Sequence, residues 1–322
     1  MALPSTGPIT MGDINVELGL TRTQQLSMGS TVVRNLFGVA SGPIRMAADG
    51  RGKSSSFRFN ITTNTTNANL RTLAINAGWD TTSKVEATVN SGVYVYSTTT
   101  ATPGLTIDGS FPGGVELINN GYIIGMGGAG GSTAAGFAGG PAISLGTDCF
   151  ITNNSYIAGE GGGGSAYANG NAGGGGGAGG GTGGEGNGAG IAAGGTPGNT
   201  GANGSGPGSG AGGGRILPGT GGAGERVDLN TRAIGGGAGG GGGAGYGYYL
   251  VQNGAAGGSN NSVGSNGTLN SGEGFWSAAG GGGWGAAGGS GRYFGGAGGK
   301  AVNLNGNSVT WLETGTRWGA IS

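Results

Sequence analysis

The chain divides sharply in its glycine content. Of the 90 glycines, 14 lie in residues 1–120 and the other 76 in residues 121–322. Residues 235–250, GGGAGGGGGAGYGYYL, show the pattern of a nearly pure glycine run that ends in aromatic residues. Such a run has no apolar side chains with which to build a core. Any fold within it must therefore be held by backbone hydrogen bonds and by scattered apolar islands.

Composition and charge exclude several classes of function. Lys+Arg and Asp+Glu balance at 14 each, which leaves no basic surface for nucleic acid or an anionic membrane. No stretch reaches the ~20 apolar residues that span a bilayer, so we expect no membrane insertion. The opening MALPSTGPITMGDIN lacks the basic and apolar regions of a signal peptide, and none is expected.

The reactive side chains are few. Histidine is absent and Cys149 is the single cysteine, so an intrachain disulfide and the histidine-dependent catalytic triads are excluded. A zinc site is close to excluded for the same reason. We expect no cofactor, no metal, no catalytic residues and no enzymatic activity. Four acidic residues remain for a carboxylate-only glycosidase, namely Asp148, Glu160, Glu185 and Glu273.

Residues 1–53 contain a threefold repeat that begins at Ile9, Leu26 and Ile44. The first two copies run into short helices that we predict at 13–18 and 30–37. Asp13 and Ser30 are the expected N-caps, and Gly19 and Gly38 suit the positions just after the helices. Units this small bury little alone, so we expect this segment to dock on a partner. The alternative is a self-contained cap on the next domain.

Residues 54–120 are typical of a small α+β module. Phe57, Phe59 and Ile61 alternate with polar residues, as in a half-buried strand. Asn67 is the expected cap of a helix that ends at Gly78. Apolar residues at 85–89 and 93–95 alternate around Asn-Ser-Gly, which favours a hairpin.

A second repeat leads into the glycine-rich part. Residues 117–125 match residues 151–159 at an offset of 34, and each copy holds an apolar strand, an Asn-rich turn and another apolar strand. Asn pairs suit the positive φ of either a tight hairpin or a solenoid turn. Residues 302–311, with Asn-Gly at their centre, are predicted to form a further hairpin.

Four interpretations of the glycine tracts compete. Recurring hydrophobic islands argue against a flexible linker, and the absence of a three-residue glycine period excludes collagen. Residues 125–130 fit G-x-G-x-x-G, but no amphipathic helix follows, so we reject a nucleotide site. The favoured interpretation is a bundle of polyglycine helices whose backbones hydrogen-bond to one another, since no Cβ keeps them apart.

The predicted fold class is therefore mainly irregular and β. A small α+β N-terminal part is followed by a glycine-rich sandwich of polyglycine type II helices with β-hairpins. The expected divisions are 1–53 for attachment, 54–120 for the α+β module, 121–300 for the glycine-rich domain and 301–322 for the C-terminal hairpin.

Loops between the tracts hold most aromatic residues of the glycine-rich part. Tyrosine and tryptophan give large, rigid contact areas and are favoured at recognition surfaces. We predict a receptor-binding surface built from these loops, whose candidates are Tyr246, Tyr248, Tyr249, Asn260, Asn261, Phe275, Trp276, Trp284, Arg292, Tyr293 and Phe294. The alternative role of each aromatic residue is a plug over the end of the bundle. Trp79, Trp311 and Trp318 are expected in the core.

An ordinary N-terminal module followed by glycine tracts and aromatic loops resembles the tail-fibre tip adhesins of T-even-like phages. The stretch GPITMGDINVELG…LSMGSTVVRNLFG…GPIRM is also similar to the opening of many phage tail and prophage proteins. The resemblance implies a sandwich of polyglycine type II helices whose distal loops bind an outer-membrane receptor.

The resulting hypothesis is a virion adhesin at the tip of a phage tail fibre. It would be made in the host cytoplasm, attach to the tail fibre or tail tip through its N-terminal segment, and bind an outer-membrane protein or surface glycan. The main alternative is a structural tail-tip or decoration protein without receptor contact. A glycine-rich cell-surface protein and a fibre-borne glycosidase are the remaining alternatives.

Overall fold

The computed structural model describes residues 3–132, 134–166, 174–183, 226–229, 232–235, 279–290 and 293–322. Three parallel sheets organise these residues. The first sheet contains β1 (Ser56–Ile61), β4 (Lys84–Val89), β7 (Val115–Asn119), β10 (Cys149–Asn153) and β15 (Val309–Glu313). The second contains β2 (Thr65–Thr66), β5 (Tyr94–Tyr96), β8 (Tyr122–Ile124), β11 (Tyr156–Ala158) and β16 (Thr316–Trp318). The third contains β3 (Ala68–Asn69), β6 (Leu105–Ile107), β9 (Ile143–Leu145) and β14 (Val302–Asn303).

The chain visits the three sheets in rotation, so it winds as a three-sided β-solenoid. Each strand pairs in parallel with its equivalent in the coils before and after it; Ala87 of β4, for example, pairs with Phe59 of β1 and with Leu117 of β7. Alternate residues of every strand point inwards, and stacking the coils joins them into one core. Its fully buried members include Val85, Leu117, Ile151, Ile123, Ile157, Leu105 and Ile143.

A short helix packs into the same core. Helix α4 (Leu70–Asn76) begins after Asn69, whose side chain accepts a hydrogen bond from the Thr72 amide. Leu70 and Ala74 are fully buried against the coils. The predicted helix is confirmed, but its cap lies two residues after the expected Asn67. Trp79 follows the helix and is buried, as predicted.

Buried asparagines hold one corner of the solenoid together. The Asn119 side-chain amide donates to the Asn153 Oδ1 atom at 2.8 Å, and the Asn153 amide donates to the carbonyls of Thr314 and Thr316. Asn119 and Asn153 are at most 1% exposed. Each of these hydrogen bonds joins one coil to the next. The bonds from Asn153 also satisfy the backbone carbonyls of Thr314 and Thr316 at this corner.

The hairpin predictions are wrong. β4 and β5 do not pair with each other but belong to the first and second sheets, and the same holds for the strands on either side of Asn119 and Asn153. Solenoid corners were the alternative for the Asn-rich turns, and these asparagines keep negative φ. Asn305 and Gly306 do have positive φ, 48° and 83°, yet their turn leads from the third sheet to the first.

The predicted fold class is therefore wrong as well. The described chain is a regular fold of three parallel sheets rather than an irregular sandwich of polyglycine type II helices with hairpins. Strands from residues 54–120, 149–158 and 302–318 share the same sheets. A local hairpin and a solenoid corner have the same sequence pattern, because both place a polar turn between two alternating strands. One further pair, β12 (Arg226–Leu229) and β13 (Arg232–Gly235), is antiparallel.

The N-terminal part consists of short helices around a separate apolar cluster. Helix α1 (Met11–Glu17) begins with a capping box formed by Thr10 and Asp13. Helix α2 (Thr31–Phe37) follows Ser30 and ends at Gly38, whose φ is 69°. Helix α3 (Met46–Gly50) lies in the third copy of the repeat, for which we predicted no helix. Their shared cluster contains Leu3, Ile9, Ile14, Val33, Leu36 and Phe37.

Two of the helix caps differ from prediction in detail. Asp13 is the third residue of its helix rather than the cap, and Ser30 makes no side-chain capping bond. Buried Glu17 ties this part to the solenoid, since its Oε1 atom accepts hydrogen bonds from the Ser54 hydroxyl and the Ser55 amide. No helix among the described residues has the length and apolarity needed to cross a membrane.

The glycine-rich segments are insertions at a single corner of the solenoid. Residues 125–142 lie between β8 and β9, and residues 159–301 lie between β11 and β14. The equivalent corner of the preceding coil, between β5 and β6, holds only residues 97–104. Because stacked coils place equivalent corners side by side, both insertions leave the solenoid as neighbours.

The segment 159–166 lies at the centre of the described glycine segments. Its amides donate to the carbonyls of three neighbours, and its carbonyls accept from the amides of three others. Donors to one neighbour recur every third residue: Gly161 and Gly164 bond Ala178 and Gly175 at 3.0 and 2.8 Å. The surrounding stretches are 125–131, 134–140, 174–178, 279–282, 286–289 and 296–299.

Glycine is required here because neighbouring backbones touch. A Cβ on Gly163 would overlap the Ala129 carbonyl, and one on Gly161 would overlap the Gly282 carbonyl. Gly164 and Gly177 are restricted in the same way by the backbones of Ala279 and Gly161. Ordering a glycine costs more conformational entropy than ordering other residues, so hydrogen bonding on all sides is needed to offset that cost.

We expect Asn153→Ala to lower the free energy of unfolding by about 1–3 kcal/mol, because buried polar partners on two adjacent coils lose their bonds. Thermal unfolding followed by circular dichroism measures the effect. Asn154→Ala is the matched control, since Asn154 is exposed and its side-chain amide donates to the Asn120 side chain. Equal melting temperatures for the two variants would show that the hydrogen bonds of the buried asparagines do not stabilise the coils.

We also expect Gly163→Ala to reduce stability or soluble yield strongly, because its methyl group would have to displace the Ala129 backbone. Gly29→Ala is the control, since a Cβ there meets only the Ser27 hydroxyl at an ordinary 3.7 Å. Soluble expression and melting temperature are the measurements. A Gly163→Ala protein as stable as the Gly29→Ala protein would contradict the close packing.

Candidate functional site

The glycine segments have one end against the solenoid and one end away from it. Gly125 and Gly159 directly follow β8 and β11, and the Gly125 amide bonds the Ala158 carbonyl. Seven residues beyond the end of β8, Gly131 bonds Gly164. A chain extends by at most about 3.6 Å per residue, so this far end lies up to about 25 Å from the strands.

Chain reversals gather at this far end, which we call the distal end. The described stretches before and after each reversal run antiparallel: 125–131 with 134–140, 159–166 with 174–178, and 286–289 with 296–299. Hydrogen bonds connect these reversals, since Ala166 donates to the Ala134 carbonyl and Ser165 to the Gly289 carbonyl. The distal end is therefore a group of turns on a support that is hydrogen-bonded throughout.

Two reversals occur at the other, proximal end. Residues 178–180 and residues 283–285 turn against the outer face of the second sheet. Ala178 and Trp284 pack there with Ile124, Ala158 and Trp318. Trp284 is 1% exposed, so its indole anchors the glycine segments to the solenoid.

A row of stacked aromatic rings runs along this contact. Tyr94, Tyr122 and Tyr156 occupy equivalent positions in successive coils, with ring centroids 4.7 and 5.6 Å apart. Trp318 continues the row 5.2 Å from Tyr156, and Trp284 lies 6.1 Å from Trp318. Burial, with a smaller contribution from Tyr122, raises the pKa of the Tyr94 phenol, so this phenol is uncharged at neutral pH.

The predicted binding residues fall into three groups. Eight lie outside the described residues: Tyr246, Tyr248, Tyr249, Asn260, Asn261, Phe275, Trp276 and Arg292. Trp284 is at the proximal end and buried, a position that favours the plug alternative considered for each aromatic residue. Tyr293 and Phe294 belong to the distal reversal; Tyr293 is half-buried and Phe294 is 82% exposed.

Sequence reasoning missed Phe137. It is 62% exposed and lies just after the distal reversal of the first insertion. Its sequence neighbours are glycine and alanine, so the available signal was a large residue within a tract that otherwise excludes side chains. Trp318 was expected in the core and is buried, whereas Trp311 is partly buried.

Asp148, Glu160 and Cys149 are the reactive side chains, among those named from the sequence, that the structure describes. The Asp148 carboxylate accepts hydrogen bonds from the amide and hydroxyl of Ser308, and these lower its pKa. Glu160 is fully buried at the start of the central segment. Glu185 and Glu273 lie outside the described residues. Burial, reinforced by Asp148, raises the pKa of the Cys149 thiol to about 12, so thiolate chemistry is suppressed at neutral pH.

Within the described part of the chain, no group of three or more His, Cys, Asp or Glu residues is placed to hold a metal ion. The described features of the distal end, exposed residues on hydrogen-bonded backbone, fit recognition of another molecule. The distal end is the candidate site.

Comparison with known proteins gives the family. Residues 56–227 match the model of the phage tail fibre adhesin Gp38, which covers more than half of the chain. The chain belongs to this family and is a phage tail-fibre adhesin. Adhesins of this class are components of the virion tail. The matched range includes the solenoid strands from β1 to β11, the first glycine insertion and the first part of the second.

One solved structure also matches. It is the crystal structure of the gp37–gp38 adhesin tip complex of the bacteriophage S16 long tail fiber, and the match covers 99% of this chain and 100% of that one. Sequence identity is 19% and the TM-score is 0.47, so the similarity is too low to transfer structural detail. No curated protein matches significantly.

Trp284→Ala is expected to lower the free energy of unfolding by about 3–5 kcal/mol, because it leaves a cavity between the glycine segments and Trp318. Phe294→Ala, which removes an exposed ring, should change it by less than about 0.5 kcal/mol. Thermal unfolding of both variants measures the difference. A Trp284→Ala variant as stable as the Phe294→Ala variant would show that the indole does not anchor the proximal end.

Proposed function

We propose that this adhesin attaches the phage to its host by binding a receptor on the bacterial surface through the distal end. The observation that carries the proposal is the gathering of the distal reversals on one hydrogen-bonded support. Preorganised loops bind more tightly than mobile ones, because less entropy is lost on binding. An outer-membrane protein or a surface glycan is the expected receptor.

Substitutions are restricted inside the glycine segments but not at the exposed positions of the distal reversals. Inside the glycine segments a side chain collides with a neighbouring backbone, so substitutions there are restricted. At the distal reversals, Ala134 and Ala135 are exposed. A change of receptor is therefore possible by altering the reversals while the support stays constant. We infer that the aromatic residues at 246–249 and 275–276 contribute to this surface.

We further propose that residues 1–53 attach the adhesin to the tail fibre. The described apolar residues among them form a cluster of their own, separate from the solenoid core. Val16 and Val32 on α1 and α2 are 40% and 51% exposed, which leaves apolar area for a partner. Glu17 fixes the cluster to Ser54 and Ser55, which directly precede the first strand of the solenoid.

The structural tail-tip protein without receptor contact remains the alternative. Both functions require attachment through residues 1–53, so deleting them does not separate the two. Receptor binding by the isolated protein does. Membership of an adhesin family supports binding rather than glycoside cleavage, as does the use of Asp148 to bind Ser308.

Changing Tyr246, Tyr248 and Tyr249 together to alanine should abolish or reduce adsorption of the purified protein to host cells at least tenfold. The melting temperature should stay within a few degrees, since these residues are predicted to contact the receptor. Leu312→Ala, an exposed position on the solenoid, is the control. Adsorption is measured with labelled protein and cells of a strain that the phage infects.

Unchanged adsorption of the triple variant would remove these tyrosines from the receptor surface. Wild-type protein that does not bind host cells, while virions containing it adsorb normally, would favour the structural alternative.

A further inference from the structure

Two phenylalanines stand exposed on neighbouring glycine segments. Phe137 is 62% and Phe294 82% exposed, whereas other large apolar residues of the described glycine segments, such as Trp284, are more buried. Single exposed apolar residues are common in proteins. An exposed pair on adjacent segments at the candidate site is less easily explained by chance.

The backbones of both residues are fixed to each other. The Gly136 amide donates to the Phe294 carbonyl at 3.1 Å. Phe137 donates to the Ala129 carbonyl at 2.9 Å and accepts from the central Gly163 at 2.8 Å. Both rings therefore project from ordered backbone close to the distal end.

Neither ring is needed for the packing of the glycine segments. Nearby outward positions, such as Ala135, Ala138 and Ala297, are occupied by alanine and are exposed. Alanine at 137 or 294 would satisfy the same backbone bonds. Placing phenylalanine there exposes apolar area to water without a compensating contact in the described part of the chain.

The chemical groups at and around Phe137 and Phe294 indicate which kind of ligand would bind there. A phenylalanine ring has no hydrogen-bonding group, unlike tyrosine or tryptophan. The exposed neighbours Ala135, Ala138 and Ala297 add only methyl groups. A glycan would need polar partners for its hydroxyls, whereas aliphatic or aromatic side chains of a protein loop need none. The surface is also continuous with Tyr293, one of the predicted receptor-binding residues.

We propose that Phe137 and Phe294 form a flank contact for the receptor, where Phe294 of one distal reversal lies beside the segment that holds Phe137, just after another reversal, and that this contact takes apolar side chains of a surface-exposed receptor loop. This inference rests on the proposed receptor-binding function and adds Phe137 to its residues. The flank contact determines how tightly a receptor already held at the distal end is bound.

Phe137→Ser tests the inference, with Phe150→Ser as the matched control. Phe150 is an exposed phenylalanine, 44% exposed, on the outer face of the first sheet of the solenoid. Full-length variants are titrated onto whole cells of a strain that the phage infects. Phe137→Ser should raise the apparent Kd at least about tenfold, as expected for an aromatic residue central to an interface. Phe150→Ser should leave it unchanged, and both melting temperatures should equal that of the wild type.

The nature of the ligand is tested on the same cells. Mild protease treatment should abolish wild-type binding, and periodate oxidation of surface glycans should leave it intact. The reverse pattern would overturn the assignment to a protein loop. Wild-type affinity for Phe137→Ser would overturn the flank contact itself, as would a change in oligomeric state without a change in cell binding. If the wild-type protein binds no cells at all, it is the receptor-binding function that fails.

Discussion

The absence of side chains inside the glycine segments is the constraint on which the rest of the molecule depends. Segment 159–166 bonds neighbours on all sides, and a Cβ at Gly161, Gly163 or Gly164 would meet a carbonyl oxygen or its carbon. Apolar burial cannot hold such a region together, so backbone hydrogen bonds must. Their directions fix the positions of the segments, and hence of the distal reversals.

The solenoid supplies what the glycine segments lack. Its interior is packed with branched apolar side chains, and its parallel register places equivalent corners of successive coils next to each other. Two insertions leaving one corner are thereby brought into contact. The aromatic row from Tyr94 to Trp318, with Trp284 against its end, joins the two parts through ring stacking. An adhesin built in this way can alter its distal turns without changing the residues that keep it folded.

Local features were predictable from the sequence, but the sheet topology was not. The strand at Phe57–Ile61, the helix ending before Gly78 and the buried positions of Trp79 and Trp318 follow from short-range patterns. Asn119 and Asn153 were recognised as turn residues, yet whether the flanking strands pair with each other or with the next coil depends on contacts 34 residues away. The 34-residue offset of the repeat is the spacing between two coils. For the site, Phe294 lies on the exposed distal end, whereas Trp284 lies at the opposite end. Composition could not separate these two positions, because it does not reveal which turns face the solenoid.

Hydrogen–deuterium exchange of the full-length protein tests the central claim most directly. If the glycine segments are held by mutual backbone bonds, amides 160–166 will exchange as slowly as those of β7 and β10, although few apolar side chains surround them. Amides of the distal reversals, such as that of Ala135, will exchange much faster. Complete exchange of amides 160–166 within seconds, while β7 and β10 remain protected, would show that the glycine segments do not form a rigid support.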